Sequence, residues 1–232
     1  MSPELKQKIQ LTLGAAILVA GVRTAYILYE RHQAAQPSAP RELPLNADYY
    51  VVPKKLHPYD LQSAKELTKQ PVWVKEGYRY TYYPYDGRRA DFAHEAGLLL
   101  PIEKLKITDV ITEAAPGSSG ERQVLAVFEK DARSYAFPIG SVKGGDYQIY
   151  CDEMLYIQDP HELYKHWTAD TWSAVEQHQV KPGMNELQAD FAIGMGIPER
   201  SSDPQVKTVN YPNGGRAVSV TYRDGKAAEI KQ

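Results

Sequence analysis

The fold turns on "VKPGMNELQADFAIGMGIPER", Val180 to Arg200, and on the segment after it. Pro182-Gly183 ends whatever precedes, Asn185 caps a helix, and Leu187, Phe191 and Ala192 recur at helical spacing. Gly194, Gly196 and Pro198 then stop it. Downstream, "VKTVNYPNGGRAVSVTYRDGKAAEIKQ" reads as three short strands joined at Asn213-Gly214-Gly215 and Asp224-Gly225, both hairpin signals. Upstream, "DPHELYKHWTADTWSAVEQHQV" is helical from Pro160, with Asp159 as cap and proline at the first helical position. Thr168 or Asp170 restarts a second helix. Residues 159–232 are therefore predicted to be a two-helix unit followed by a three-stranded meander.

These residues carry a resemblance. Val180, Gly183, Met184, Leu187, Gly196, Pro198, Val218, Val220, Tyr222, Gly225, Lys226 and Ile230 match a pattern of apolar residue, Gly-Met, apolar helix face, Gly-x-Pro and a meander ending in Gly-Lys and an apolar residue. In this the last quarter of the chain resembles the BamE (SmpA/OmlA) family of small envelope domains. The interval from helix to Gly-x-Pro is longer here than in that family. Its members are lipoproteins, whereas Cys151 is the only cysteine of this chain, so a transmembrane helix would replace the lipid. The same helix-helix-meander order resembles the repeats of β-lactamase inhibitory proteins. Both resemblances imply binding to partner proteins rather than catalysis, and neither carries contact residues over to this chain.

The predicted anchor is Ile9 to Tyr29, close to the ~20 residues that cross a bilayer as a helix. Arg23 interrupts it, but a charge near the end of a span can snorkel to the interface, where Tyr26 and Tyr29 also sit comfortably. A cleaved signal peptide with its core at Leu11 to Val22, or an amphipathic helix, are the alternatives. Lys6 and Lys8 precede the span while Glu30, Arg31 and His32 follow it, so charge decides orientation only weakly. Because exported domains are usually anchored by an N-terminal apolar segment after a brief basic tail, 1–8 is expected to be a short cytoplasmic tail of a single-pass protein of the inner membrane, with the large region outside the cytoplasm. Residues 30–46, including "QAAQPSAPRELPLN", are rich in proline and alanine and form an extended linker.

Between linker and C-terminal unit, 47–158 reads as a β-rich domain. "ADYYVVP" suggests a short strand, and "HPYDLQSAKELTKQ" a helix capped by Asp60 with Leu61, Ala64 and Leu67 on one face. "PVWVKEGYRYTYYPYDGRR" suggests a long or bent strand pair broken at Gly77. "LLLPIEKLKITDVITEA", "RQVLAVFEK", "SYAFPIG" and "GDYQIYCDEMLYI" continue as strands, with "APGSSGER" a surface loop and "VKGGDY" a tight turn. This strand rhythm resembles that of an SH3-like small barrel. The fold class is thus α+β, with an N-terminal transmembrane helix, a central β-rich domain and a C-terminal α/β unit.

Lys+Arg 27 against Asp+Glu 29 leaves a net charge of -2, which argues against nucleic acid as the partner. Tyrosine is common, at 17 residues, and clusters in one segment. Tyr78, Tyr80, Tyr82, Tyr83 and Tyr85, with Arg88 and Arg89, form the candidate binding surface, because tyrosine and arginine are enriched at interface hot spots. The competing reading is that alternating tyrosines form two half-buried faces of a strand. Cys151 with His161 or His166 would make a nucleophile and base, but a cysteine inside a strand is usually an inert core residue. His161, His166 and His178 lack the helical i, i+4 spacing of zinc sites, and no cofactor or metal is expected.

The function expected from the sequence is a non-catalytic adaptor or scaffold subunit of a cell-envelope or membrane complex, bound to the bilayer through Ile9 to Tyr29. An inhibitor or ligand-binding module using the Tyr/Arg surface is the first alternative. An envelope hydrolase is the second.

Overall fold

Alternation along Val72-Trp73-Val74 sets the layout of the folded region. In a strand, successive side chains leave on opposite faces. Val72 and Val74 enter one hydrophobic core, and Trp73 between them enters another. The computed structural model describes residues 18–31, 46–77, 80–118, 120–201, 203 and 205–232. Residues up to Tyr49 form one unit, and Tyr50 to Gln232 form a second, compact one.

In the first unit, α1 covers 18–31, with exposed side chains. Residues 9–17 of the expected membrane span lie outside the described residues, as do 1–8 and most of the linker. Among the described residues, no helix is long and apolar enough to cross a membrane. The expected strand at "ADYYVVP" is instead a 3-10 turn, Ala47–Tyr50, followed by irregular chain to Tyr59. Pro53 and Pro58 have no N–H for a ladder, and the Lys54 N–H is taken by the Gln158 side chain at 2.7 Å.

In the second unit, Asp60 caps α2 (Leu61–Ala64) through a reciprocal pair of bonds with Ser63, and the chain tightens into a 3-10 turn over Lys65–Lys69. Ala64 and Leu67 are fully buried, as expected from their spacing. Strand β1 (Val72–Val74) and strand β2 (Thr81–Pro84) then go to different sheets. β1 lies between β4 (Lys104–Leu105) and β9 (Leu155–Tyr156). β2 joins a six-stranded antiparallel sheet with β3 (Gly97–Leu98), β5 (Ile107–Ala114), β6 (Glu121–Lys130), β7 (Arg133–Lys143) and β8 (Asp146–Ile149). The order β3-β2-β7-β6-β5, with β8 paired to β7, is an open path. The central region is thus one open sheet plus a three-stranded one, where the strand rhythm suggested a single small barrel. β1 packs Val72 and Val74 into the same core as Tyr82 of β2, but its hydrogen-bonding edges are taken by β4 and β9.

Alternation along β6 divides its side chains between two faces. Val124, Ala126 and Phe128 face the main core with Phe137, Ile139 and Tyr82. Leu125 and Val127 face a smaller cluster with Ala90 and Ala136. The expected strand through Cys151 ends earlier, at Ile149, and Cys151–Met154 is a single helical turn, α3.

Helix α4 (Pro160–Leu163) is capped by Asp159, and α5 (Ala169–Glu176) by Thr168. Helix α6 (Glu186–Ile193) starts at a capping box between Asn185 and Gln188 and stops at Gly194, whose φ of 86° favours glycine. The sheet after it has four strands rather than the three expected. Ile197–Pro198 is a strand, β10, pairing with β11 (Val206–Tyr211), which continues to β12 (Val218–Arg223) and β13 (Lys226–Lys231). Proline is tolerated there because β10 is an edge strand. Gly196 brings the backbone onto this sheet so closely that a Cβ would collide with Val209 Cγ1 and lie 2.8 Å from the Tyr211 ring. Helices and sheet close over Tyr164, Trp167, Trp172, Phe191, Val209 and Tyr211.

Candidate functional site

The strand period that places Val72 and Val74 also separates the tyrosines of the candidate surface. Tyr80 and Tyr82 belong to the main core. The Tyr82 ring stands edge-on to Phe128 at 5.5 Å and to Tyr135 at 5.1 Å, and the Lys130 ammonium lies 5.6 Å from its centre. Tyr83 and Tyr85 leave on the other face, where Tyr83 meets Phe92 edge-on at 5.1 Å. Tyr78 lies outside the described residues. The structure therefore divides the predicted set between a core and a surface.

The turn after Tyr85 is organised by Asp86. Its carboxylate accepts the backbone N–H groups of Arg88 and Arg89, both at 2.7 Å, and these bonds hold its pKa below the ordinary carboxylate value. With their backbones fixed, the Arg88 and Arg89 side chains stand exposed. The Ala90 N–H is bound by Glu113 at 2.8 Å, which ties the far end of the turn to β5. Tyr85 is half-buried, and its N–H donates to the Ser134 carbonyl at 2.9 Å. Burial raises its hydroxyl pKa, with Asp109, Glu113 and Asp86 adding to the effect.

At this end of the sheet an open cleft of about 510 Å³ is lined by Pro84, Tyr85, Ala96, Arg133, Ser134 and Tyr135. The register Pro84↔Tyr135 between β2 and β7 makes it. The Tyr135 ring packs against Tyr82 and Phe128 on the main-core face while Tyr85 leaves on the other, so the exposed Arg133 is the one cation of the lining, which suits a carboxylate-bearing group of a partner. Tyr85 belongs to the predicted surface, whereas Arg133 and Tyr135 do not. Their only local signal is the Asp131-Ala132 turn, with φ of 51° and 58°, which starts β7 at Arg133.

Cys151 offers no nucleophile. It is 1 % exposed, and burial, reinforced by Asp152, pushes its thiol up to about 12. His161 sits between Asp159 at 3.0 Å and Glu176 at 3.1 Å and stacks on Trp172, with ring centres 4.0 Å apart. His178 bonds the Ala192 carbonyl at 2.9 Å. Among the described residues, no three His, Cys, Asp or Glu side chains converge as a metal site requires.

A second polar group lies at the C-terminal core. The Tyr156 hydroxyl donates to Glu76 at 2.6 Å, and the hydroxyls of Tyr211 and Tyr222 share a bond of 2.7 Å. Asp190 has one carboxylate oxygen, Oδ1, buried without a hydrogen-bond partner. Burial pushes this carboxyl up to about 7, the charges of Glu186 and Glu76 adding to the shift and Tyr211 opposing it.

Comparison of the chain with models of known protein families, with curated proteins and with solved structures produces no match.

Proposed function

We propose that this chain is a non-catalytic adaptor or scaffold subunit of a membrane or cell-envelope complex, anchored by Ile9 to Tyr29 and holding its folded region outside the cytoplasm. The observation that carries this reading is the open cleft beside β2 and β7, whose lining includes Tyr85 and the exposed Arg133. It combines the residue types that dominate binding energy at interfaces with a backbone fixed on strands and an Asp86-ordered turn. The inert Cys151 gives no support to the hydrolase alternative. The order α5, α6, meander supports the reading of 159–232 as a BamE-like partner-binding unit. A ligand-binding module using the Tyr/Arg surface is the second reading, because Arg88 and Arg89 stand exposed in the turn after Tyr85 and Arg133 stands exposed at the cleft.

Site-specific photo-crosslinking tests it. A photoreactive residue at Arg88 or at Ser134, in the full chain in native membranes, is expected to trap the same protein. The adduct should be lost on Arg133→Glu with circular dichroism unchanged. Adducts formed equally from Lys226 on the C-terminal sheet, or none at all, would overturn the reading.

A further inference from the structure

The irregular segment 51–57 bonds to a single stretch of the chain, 151–158. The Lys54 N–H donates to the Gln158 side chain at 2.7 Å, and the Leu56 carbonyl accepts the Cys151 thiol at 3.9 Å. Lys55 pairs with Glu153 at 3.0 Å and His57 with Asp152 at 2.9 Å. Val51 packs against the second core and Leu56 against the first, so the segment is a strap across the seam that β9 also spans. Buried Pro58 ends it. Beyond that point the Ser63 hydroxyl accepts the Tyr59 and Asp60 N–H groups, which fixes the chain to α2.

Each tie on the strap is a weak one of its kind. Its backbone joins no ladder or helix. Both ion pairs have an exposed partner, where water and salt screen the attraction. A thiol is a poor donor. Val51 and Leu56 are half-buried, whereas Ala64, Leu67, Val72 and Val74 of the first core are at most 1 % exposed. Segments that bury little and lack regular bonds open at the low end of a protein's stability range, while packed cores stay closed.

Cys151 lies where such an opening is felt. It is 1 % exposed, and burial, reinforced by Asp152, pushes its thiol up to about 12, so the closed form is neither reachable nor ionised. The strap places the Leu56 carbonyl on that sulfur and His57 on the neighbouring Asp152.

We infer that residues 51–57 form a strap that swings open at Pro58 while both cores stay folded, and that it gates access to the Cys151 thiol. Salt favours the open form by screening the two ion pairs. Return of Leu56 to the first core closes it.

The test reacts the full chain in detergent micelles with excess N-ethylmaleimide, Cys151 being its only cysteine, and reads the rate by mass. The rate is expected to stay flat as urea rises towards the unfolding midpoint, because opening a strap exposes little surface. Leu56→Ala should speed labelling about tenfold. Lys55→Ala, an exposed position outside both cores, should speed it a few-fold and blunt its response to salt. Leu125→Ala, in the smaller cluster on the other face of β6, should lower the urea midpoint and leave the rate unchanged. A rate that climbs with urea, or that Leu125→Ala raises in step with the lost stability, would show that Cys151 is reached only by global unfolding and would overturn the strap. Absence of labelling below the midpoint would do the same. A flat rate indifferent to both Leu56→Ala and Lys55→Ala would assign the opening to α3 itself, which also overturns the proposal.

Discussion

Asp190 shows at the scale of one residue what burial does to a carboxyl. Its folded-state pKa is raised from 3.8 to about 7, so the native state holds this proton more tightly than the unfolded chain does. Stability then falls with rising pH between those values, and the penalty is complete once the carboxyl is ionised in both states. Discounted for partial exposure, the cost at alkaline pH is on the order of 2 kcal/mol. Asp190→Asn keeps the shape and removes the charge. The expected outcome is a variant whose urea midpoint gains on the parent at about pH 8 and shows little gain at about pH 4. A gain of the same size at both would show that Asp190 does not titrate in this range. Oδ1, buried without a partner, is the reason to expect the relief.

At the scale of elements, what could be read from the sequence was what is local. The helix starts at Asp60, Asp159 and Asn185 are capping positions in the structure, and of Thr168 and Asp170 it is Thr168 that caps, since a cap is set by residues two or three apart. The hairpins at Asn213-Gly214-Gly215 and Asp224-Gly225 were legible for the same reason. Pairing between distant strands was not. β1 and β2 are neighbours in sequence and belong to different sheets, because the edges of β1 pair with β4 and with β9, the latter about eighty residues away in sequence. The candidate site followed the same rule. Parity along β2 separates Tyr82 from Tyr83, but Arg133 and Tyr135 reach the cleft only through the β2–β7 register. Because the α6 cap is local, its strength is open to measurement. Asn185 accepts the Gln188 N–H at 2.9 Å, and the Gln188 side chain accepts the Asn185 N–H at 2.9 Å, both in a buried setting. Asn185→Ala is expected to cost about 1 kcal/mol, read as a lower denaturant midpoint with unchanged slope. No change in midpoint would mean that packing of Phe191 and Ala192, rather than the cap, fixes the helix start.

For the whole compact unit, the question is whether two cores make one cooperative body. The link runs through β1, whose Val72 and Val74 belong to the first core while Trp73, 8 % exposed, belongs to the second. β9 repeats the pattern, with Leu155 in the first core and Tyr156 in the second. The irregular segment after Tyr50 adds Val51, packed against the second core, and Leu56, packed against the first. Three segments thus have backbones shared by both cores, so neither core can lose its packing without disturbing strands that complete the other. Residues 50–232 are accordingly expected to unfold in a single transition, with far-ultraviolet dichroism and tryptophan fluorescence superimposing. Trp73→Ala removes a buried indole and the Lys104 ammonium contact at 5.3 Å from its ring. A cost of about 3–5 kcal/mol, a fall of roughly ten degrees in Tm, is expected from a change of this kind. Coupling predicts that both probes shift together. If fluorescence from Trp167 and Trp172 moved to lower temperature while the dichroism of the six-stranded sheet kept its midpoint, the cores would be independent and β1 merely a strand that borders both.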